Sequence, residues 1–129
     1  MEIRSLQHHE QALKLRALRN QVLSSNIANA DTPNYKSRDI DFADAMAAAR
    51  DPGLSLRTTS DRHVSGFSTR AVGADLMYRV PMQPSLDGNT VESDVEQAAF
   101  AENALMYRAT LQFLDGQIRS IKYALKGGE

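Results

Sequence analysis

His8, His9 and His63 are the side chains best suited to metal ligation or proton transfer, and their spacing supports neither. His8 and His9 are consecutive, so on a helix they point about 100° apart and do not share one ion. No His-x-x-x-His or His-Glu-x-x-His pair places two ligands on one helical face, and there is no cysteine to supply a thiolate. A Gly-x-Ser-x-Gly elbow and a phosphate-cradling glycine loop are both missing. Asp39, Asp41 and Asp44 cluster, but acidic residues opening a short helix are explained by capping. Lys14, Arg16 and Arg19 could meet an acidic partner, but a solvated helix face is the better account of them. These residues therefore specify no catalytic, cofactor-binding or metal site.

Fifteen basic and sixteen acidic side chains nearly cancel, so no basic field calls for nucleic acid. No apolar run approaches the roughly 18–20 residues of a membrane span, which predicts no direct membrane insertion. Charges run throughout Met1 to Asn20, leaving no apolar core for a cleaved signal peptide. Composition alone thus points to the cytoplasm. Aromatics are sparse, with four Tyr, four Phe and no Trp, and Ala, Leu, Ile and Met suit slender helix packing.

The elements follow from periodicity. Residues from about Ile3 to Ala30 contain no Pro or Gly and predict a helix, with Pro33 ending it. Leu6, Leu13, Asn20 and Ile27 recur every seven residues, beside a stripe of Leu15, Leu18 and Val22. A second helix is expected over Asp94 to Lys126, opened by a Ser93/Glu96 capping box and stopped by Gly127-Gly128. Acidic residues crowd its start and Arg119, Lys122 and Lys126 its end, as the helix dipole favours. Phe100, Ala104, Tyr107, Leu111, Leu114, Ile118, Ile121 and Leu125 alternate by four and three, a coiled-coil seam of about four heptads. Val91, Val95, Ala98, Leu105 and Ala109 make a second stripe. One helix with two apolar faces needs more than one neighbour. Between the helices, Asp39 to Arg50 reads as a short helix stopped by Pro52-Gly53. Leu54 to Thr59 and Asp75 to Val80 read as short strands. The fold class is mainly α, with a small mixed middle.

The most specific segment is Ser25 to Lys36, SNIANADTPNYK. Asn26 and Asn29 are amides near a helix end, able to bond backbone or hold a register. Asp31-Thr32-Pro33-Asn34 is a strong turn, and Asn34 tolerates a left-handed conformation. Asn26 to Tyr35 resembles the N-terminal signature of the flagellar axial proteins, the rod, hook and hook-associated family. Asp87-Gly88-Asn89-Thr90-Val91 and Ala98 to Tyr107 are similar to the proximal-rod branch of that family, and Asp39 to Phe42 extends the likeness inward. The family often has Gly at the position of Asn34 and Asp at that of Glu92.

That resemblance implies a structural subunit of the bacterial flagellar basal body whose terminal helices pair as an antiparallel coiled coil. It divides the chain into an axial helix and turn (1–33), a middle region (34–90) and a C-terminal axial helix (91–129), both ends forming one assembly domain. It also implies export by the flagellar type III apparatus without a cleaved signal peptide, and a place in the periplasmic rod. The implied partners are other rod subunits, the basal-body membrane ring and its rod-adaptor protein, and copies of the same chain; no cofactor is implied. The expected assembly interface is Leu13, Asn26, Asn29, Leu111, Leu114, Ile118 and Ile121. A sibling proximal-rod protein, or a soluble helical adaptor or export chaperone using the same seam, are the competing readings.

Overall fold

The computed structural model describes residues 2–50, 76–83 and 85–127. Helix α1 spans Glu2–Ala28, strand β1 Arg38–Ile40, helix α2 Phe42–Arg50, strand β2 Leu76–Tyr78 and helix α3 Ser93–Leu125. At 1.5 Å per residue α3 is about 50 Å long. The terminal helices run antiparallel over most of that length. Glu96 lies against Asn26, Asn103 against the Arg16 carbonyl, and Gln117 donates to Ser5 Oγ. The His9 and Phe113 rings stack between them, 6.4 Å apart.

The apolar core is not in this seam. Ala12 and Leu15 of α1 pack with Ile40, Ala45 and Met46, and Leu18, Val22, Phe42 and Leu76 surround them. The middle region thus supplies the hydrophobic partner for one face of α1. Strands β1 and β2 pair antiparallel, Arg38 opposite Tyr78 and Ile40 opposite Leu76. A lone two-stranded ribbon is marginal in water. This one is held because Ile40 is buried against α1 and because Arg79 N–H donates to the Ser37 carbonyl at 3.0 Å.

Several sequence expectations shift. Helix α1 stops at Ala28, five residues short of Pro33, and the Asn29 and Ala30 N–H groups beyond it donate to the Asn26 and Ile27 carbonyls in turns. The short middle helix begins at Phe42, not Asp39. Asp39 and Ile40 belong to β1, and Asp41 is the cap, its Oδ1 accepting from Asp44 N–H at 3.1 Å. The strand expected over Asp75 to Val80 forms over Leu76–Tyr78. The expected strand from Leu54 to Thr59, the stop at Pro52-Gly53 and His63 lie outside the described residues.

The Ser93/Glu96 capping box does not form: Glu92 is the N-cap, no side chain caps it, and the Glu96 carboxylate points inward. Asn34 does take the left-handed conformation, with φ at 60°. It faces Gly88, also left-handed at φ 76°, where an added Cβ would stand 2.5 Å from Asn34 Oδ1. Among the described residues no helix is long and apolar enough to cross a membrane.

Candidate functional site

Where α1 ends and α3 begins, side chains from both terminal helices, from β1 and from the segment after β2 meet in one polar joint. Asn26 is wholly buried. Its Nδ2 donates to the Arg38 carbonyl at 2.6 Å and to Glu96 Oε2 at 3.0 Å, while its Oδ1 accepts from Arg38 N–H at 3.1 Å. One amide thereby pairs with both backbone groups of a strand residue, as a neighbouring strand would, and reaches α3 as well. Asn26 has no surface to offer a neighbouring molecule. Asn29, half-buried, serves only the helix end: Nδ2 donates to the Ser25 carbonyl at 2.7 Å and Oδ1 accepts from Thr32 Oγ1.

Charges continue the joint. Arg19 makes a two-pronged contact with Asp39, at 3.0 and 3.1 Å, so it is not the solvated cation that the sequence allowed. The Arg79 guanidinium bridges Asp39 and Glu96, standing 3.2 Å from Glu96 Oε1 as an ion pair without hydrogen-bond alignment. Burial pushes the Asp39 carboxyl up. The bonds from Arg19 and Ile40 N–H and the charges of Arg19 and Arg79 outweigh it and hold Asp39 below its usual value. The hydrogen bond to Asp39 correspondingly raises Arg19. Because the folded pKa of Asp39 is the depressed one, its stabilisation is present above the ordinary value of 3.8 and lost as pH falls through the folded value. Denaturant titrations should therefore show stability declining below about pH 4. Asp39→Asn should flatten that slope; an unchanged slope would assign the acid sensitivity elsewhere.

Asn89 closes the joint from the other side. Its Nδ2 lies within 2.7–3.0 Å of the carbonyls of Asn29, Ala30 and Thr32, in the turn that follows α1, and its Oδ1 accepts from Val91 N–H. Ser37, also buried, donates its N–H to Thr90 Oγ1 at 2.8 Å. Replacing Asn26 by Ala should lower unfolding stability by about 2–3 kcal/mol, since it leaves buried polar partners unmet. Asn29→Ala, near the surface, should cost under about 1 kcal/mol. Equal losses in chemical denaturation would mean that Asn26 does not hold the joint.

Along the seam, α3 turns a polar row toward α1. Glu96, Asn103, Thr110 and Gln117 recur every seven residues; Glu96 and Asn103 are wholly buried. The apolar seam read from the sequence therefore splits. Phe100, Tyr107, Leu114 and Ile121 lie half-buried beside the polar row, whereas Ala104, Leu111, Ile118 and Leu125 form its outer flank. Leu111, Ile118 and Leu125 are 42%, 38% and 82% exposed, and Leu105, Phe113 and Tyr123 add further uncovered apolar surface. Of the expected interface residues, Leu111 and Ile118 thus lie on the open flank, Leu114 and Ile121 at its inner edge. Leu13 is half-buried on α1, outside the buried row of Ala12, Leu15, Leu23 and Asn26. Sequence reading missed Arg79, Asn89, Glu96 and Asn103 as organisers. The seven-residue spacing from Glu96 to Gln117 was the available signal.

A groove of about 450 Å³ lies between the helices, lined by His8, His9, Arg16, Phe42, Met46 and Phe113 among others. No carboxylate is among its lining residues. Burial lowers the Arg16 guanidinium, which sits 3.9 Å over the Phe42 ring. Among the described residues no cluster of three His, Asp or Glu could hold a metal ion.

Paired terminal helices, locked at one end and uncovered along an outer face, define an assembly subunit. A family model described as flagella basal body rod protein matches residues 6–36. The flagellar basal body rod protein FlgB of Yersinia enterocolitica is 45% identical, over 96% of this chain and 95% of its own. FlgB of Salmonella typhimurium is 45% identical over 96% and 94%, and that of Cereibacter sphaeroides (strain ATCC 17029) 52% over 92% and 91%. The chain belongs to the flagellar basal body rod protein FlgB family. It is a structural subunit of the basal-body rod, not an enzyme.

Proposed function

We propose that this chain polymerises within the proximal rod through the outer face of α3, forming part of the motor drive shaft. The supporting observation is the apolar row of Leu111, Ile118 and Leu125, left open although α3 already has an antiparallel partner. A helix gains most of its stability from packing an apolar face. A row repeated down some 50 Å of helix suits side-by-side neighbours around an axis better than one small ligand. Contacts that repeat from subunit to subunit without closing a two-fold generate a tube. Residues 1–33 and 91–129 act as one assembly domain, and Ile40, Ala45 and Met46 of the middle region 34–90 pack against its first helix. Leu13, Leu114 and Ile121 border the proposed interface, and Asn26 and Asn29 shape it from within.

The partners are other rod subunits, copies of this chain, and the membrane ring with its rod adaptor at the base of the rod. The subunit reaches the periplasm through the flagellar type III apparatus without cleavage, which replaces the cytoplasmic placement that composition suggests. Fractionation tests the assignment. In a strain whose own copy is deleted, the tagged chain should restore swimming and sediment with detergent-extracted basal bodies. Recovery solely as a discrete cytosolic complex would overturn it in favour of an adaptor.

A further inference from the structure

The polar row of α3 meets partners on α1 that are unevenly placed. Glu96 receives the Asn26 amide, Asn103 Nδ2 donates to the Arg16 carbonyl at 2.9 Å, and Gln117 Nε2 donates to Ser5 Oγ. Thr110 turns back on its own helix, its Oγ1 donating to the Met106 carbonyl at 2.8 Å. From Asn26 to Ser5 is 21 residues of α1, and from Glu96 to Gln117 is 21 residues of α3, so the two contacts belong to one antiparallel register. The stacked rings of His9 and Phe113 fall in that register too. The apolar residues beside the row cannot select it. Phe100, Tyr107, Leu114 and Ile121 recur every seven residues, so sliding α3 by seven residues, about 10 Å, returns them to equivalent places. The α1 partners of the polar row are not repeated in this way. After such a slide Glu96 would face Arg19 or Pro33, and Gln117 would face Ala12 or pass the end of α1.

Stability alone does not call for these amides. Asn103 is wholly buried, yet its Oδ1 has no hydrogen-bond partner in the protein, and neither has the buried Gln117 Oε1. Leucine at both positions would remove two unmet acceptors. The Arg16 carbonyl would lose little, because it lies inside α1 and already accepts a helical bond. We infer that Asn103 and Gln117 are positioning residues that select a single register for the α1–α3 pair, although they lower its stability. A buried amide in an otherwise apolar helical seam has this effect because only one seating satisfies it. The register fixes how far the Asn26 joint stands from the open flank of Leu111 and Ile118. Its consequence for the rod rests on the assembly reading above; the register itself does not.

The chain has no cysteine, so introduced pairs report the register directly. His9→Cys/Phe113→Cys reads the native seating. His9→Cys/Met106→Cys and His9→Cys/Ser120→Cys read slides of seven residues in the two directions. Mild oxidation of the purified full chain should link the native pair within one molecule and leave both shifted pairs unlinked. Adding Asn103→Leu/Gln117→Leu should move the urea midpoint upward and let at least one shifted pair link to a yield comparable with the native pair. Native links alone in the leucine background overturn the proposal, as do shifted links without the leucines. A urea midpoint that falls while the register holds also overturns it, since the amides would then be stabilising contacts only. In cells the leucine variant should be secreted and swim poorly despite its higher midpoint. Normal swimming by a variant that slips in cross-linking would count against the assembly reading and leave the register assignment standing.

Discussion

A chain carrying Ile118→Glu is expected to fold and to be secreted, yet to be absent from purified basal bodies. Ile118 is 38% exposed in the isolated subunit, so a carboxylate there keeps its water and the monomer loses little. Once a neighbour covers the flank, that water is lost, and an unpaired buried charge costs several kcal/mol, about 3–5 by comparison with broken buried pairs. The defect recurs at every lateral contact, so incorporation should fail outright. Arg108→Glu, on the exposed back of α3, is the control and should leave swimming nearly normal. Secreted protein, basal-body protein and swimming measured together check this. Normal rods containing Ile118→Glu would show that the flank is not an assembly surface.

Arg79→Met should destabilise the subunit by about 3–5 kcal/mol, the usual cost of removing one partner from a buried pair. Arg79 is the cation in contact with the wholly buried Glu96, and it also neutralises Asp39. Without it Glu96 retains the Asn26 amide, which carries no net charge. Adding Glu96→Gln to Arg79→Met removes the stranded charge and should recover part of the loss, a coupling readable from a double-mutant cycle. Urea denaturation of the four proteins suffices. A loss under about 1 kcal/mol in Arg79→Met would mean that the pair is effectively solvated, as exposed pairs are. Fully additive losses would show that Arg79 and Glu96 do not act on each other.

The sequence by itself determined the two long helices, since seven-residue periodicity and the lack of breakers require nothing beyond neighbours three and four residues away. It also determined the turn after α1, where Asn34 takes the left-handed conformation that its short amide tolerates. Family membership was legible for the same reason: the signature of Asn26 to Tyr35 is local and continuous.

Which face of α3 turns inward was decided only by the tertiary structure. Periodicity sets the spacing of a stripe but not its partner, and the apolar stripe was the natural choice for the intramolecular seam. The structure instead packs Ile40, Ala45 and Met46 of the middle region on α1 and gives α3 a polar row, Glu96, Asn103, Thr110 and Gln117. Glu96 read as half of a capping box because Ser93 stands three residues before it. Its actual partners, Asn26 and Arg79, are 70 and 17 positions away, and only the fold brings them within 3.0 and 3.2 Å. A buried carboxylate is tolerable only where a cation and an amide already wait for it. That condition belongs to the assembled joint, and no local stretch of the chain contains it.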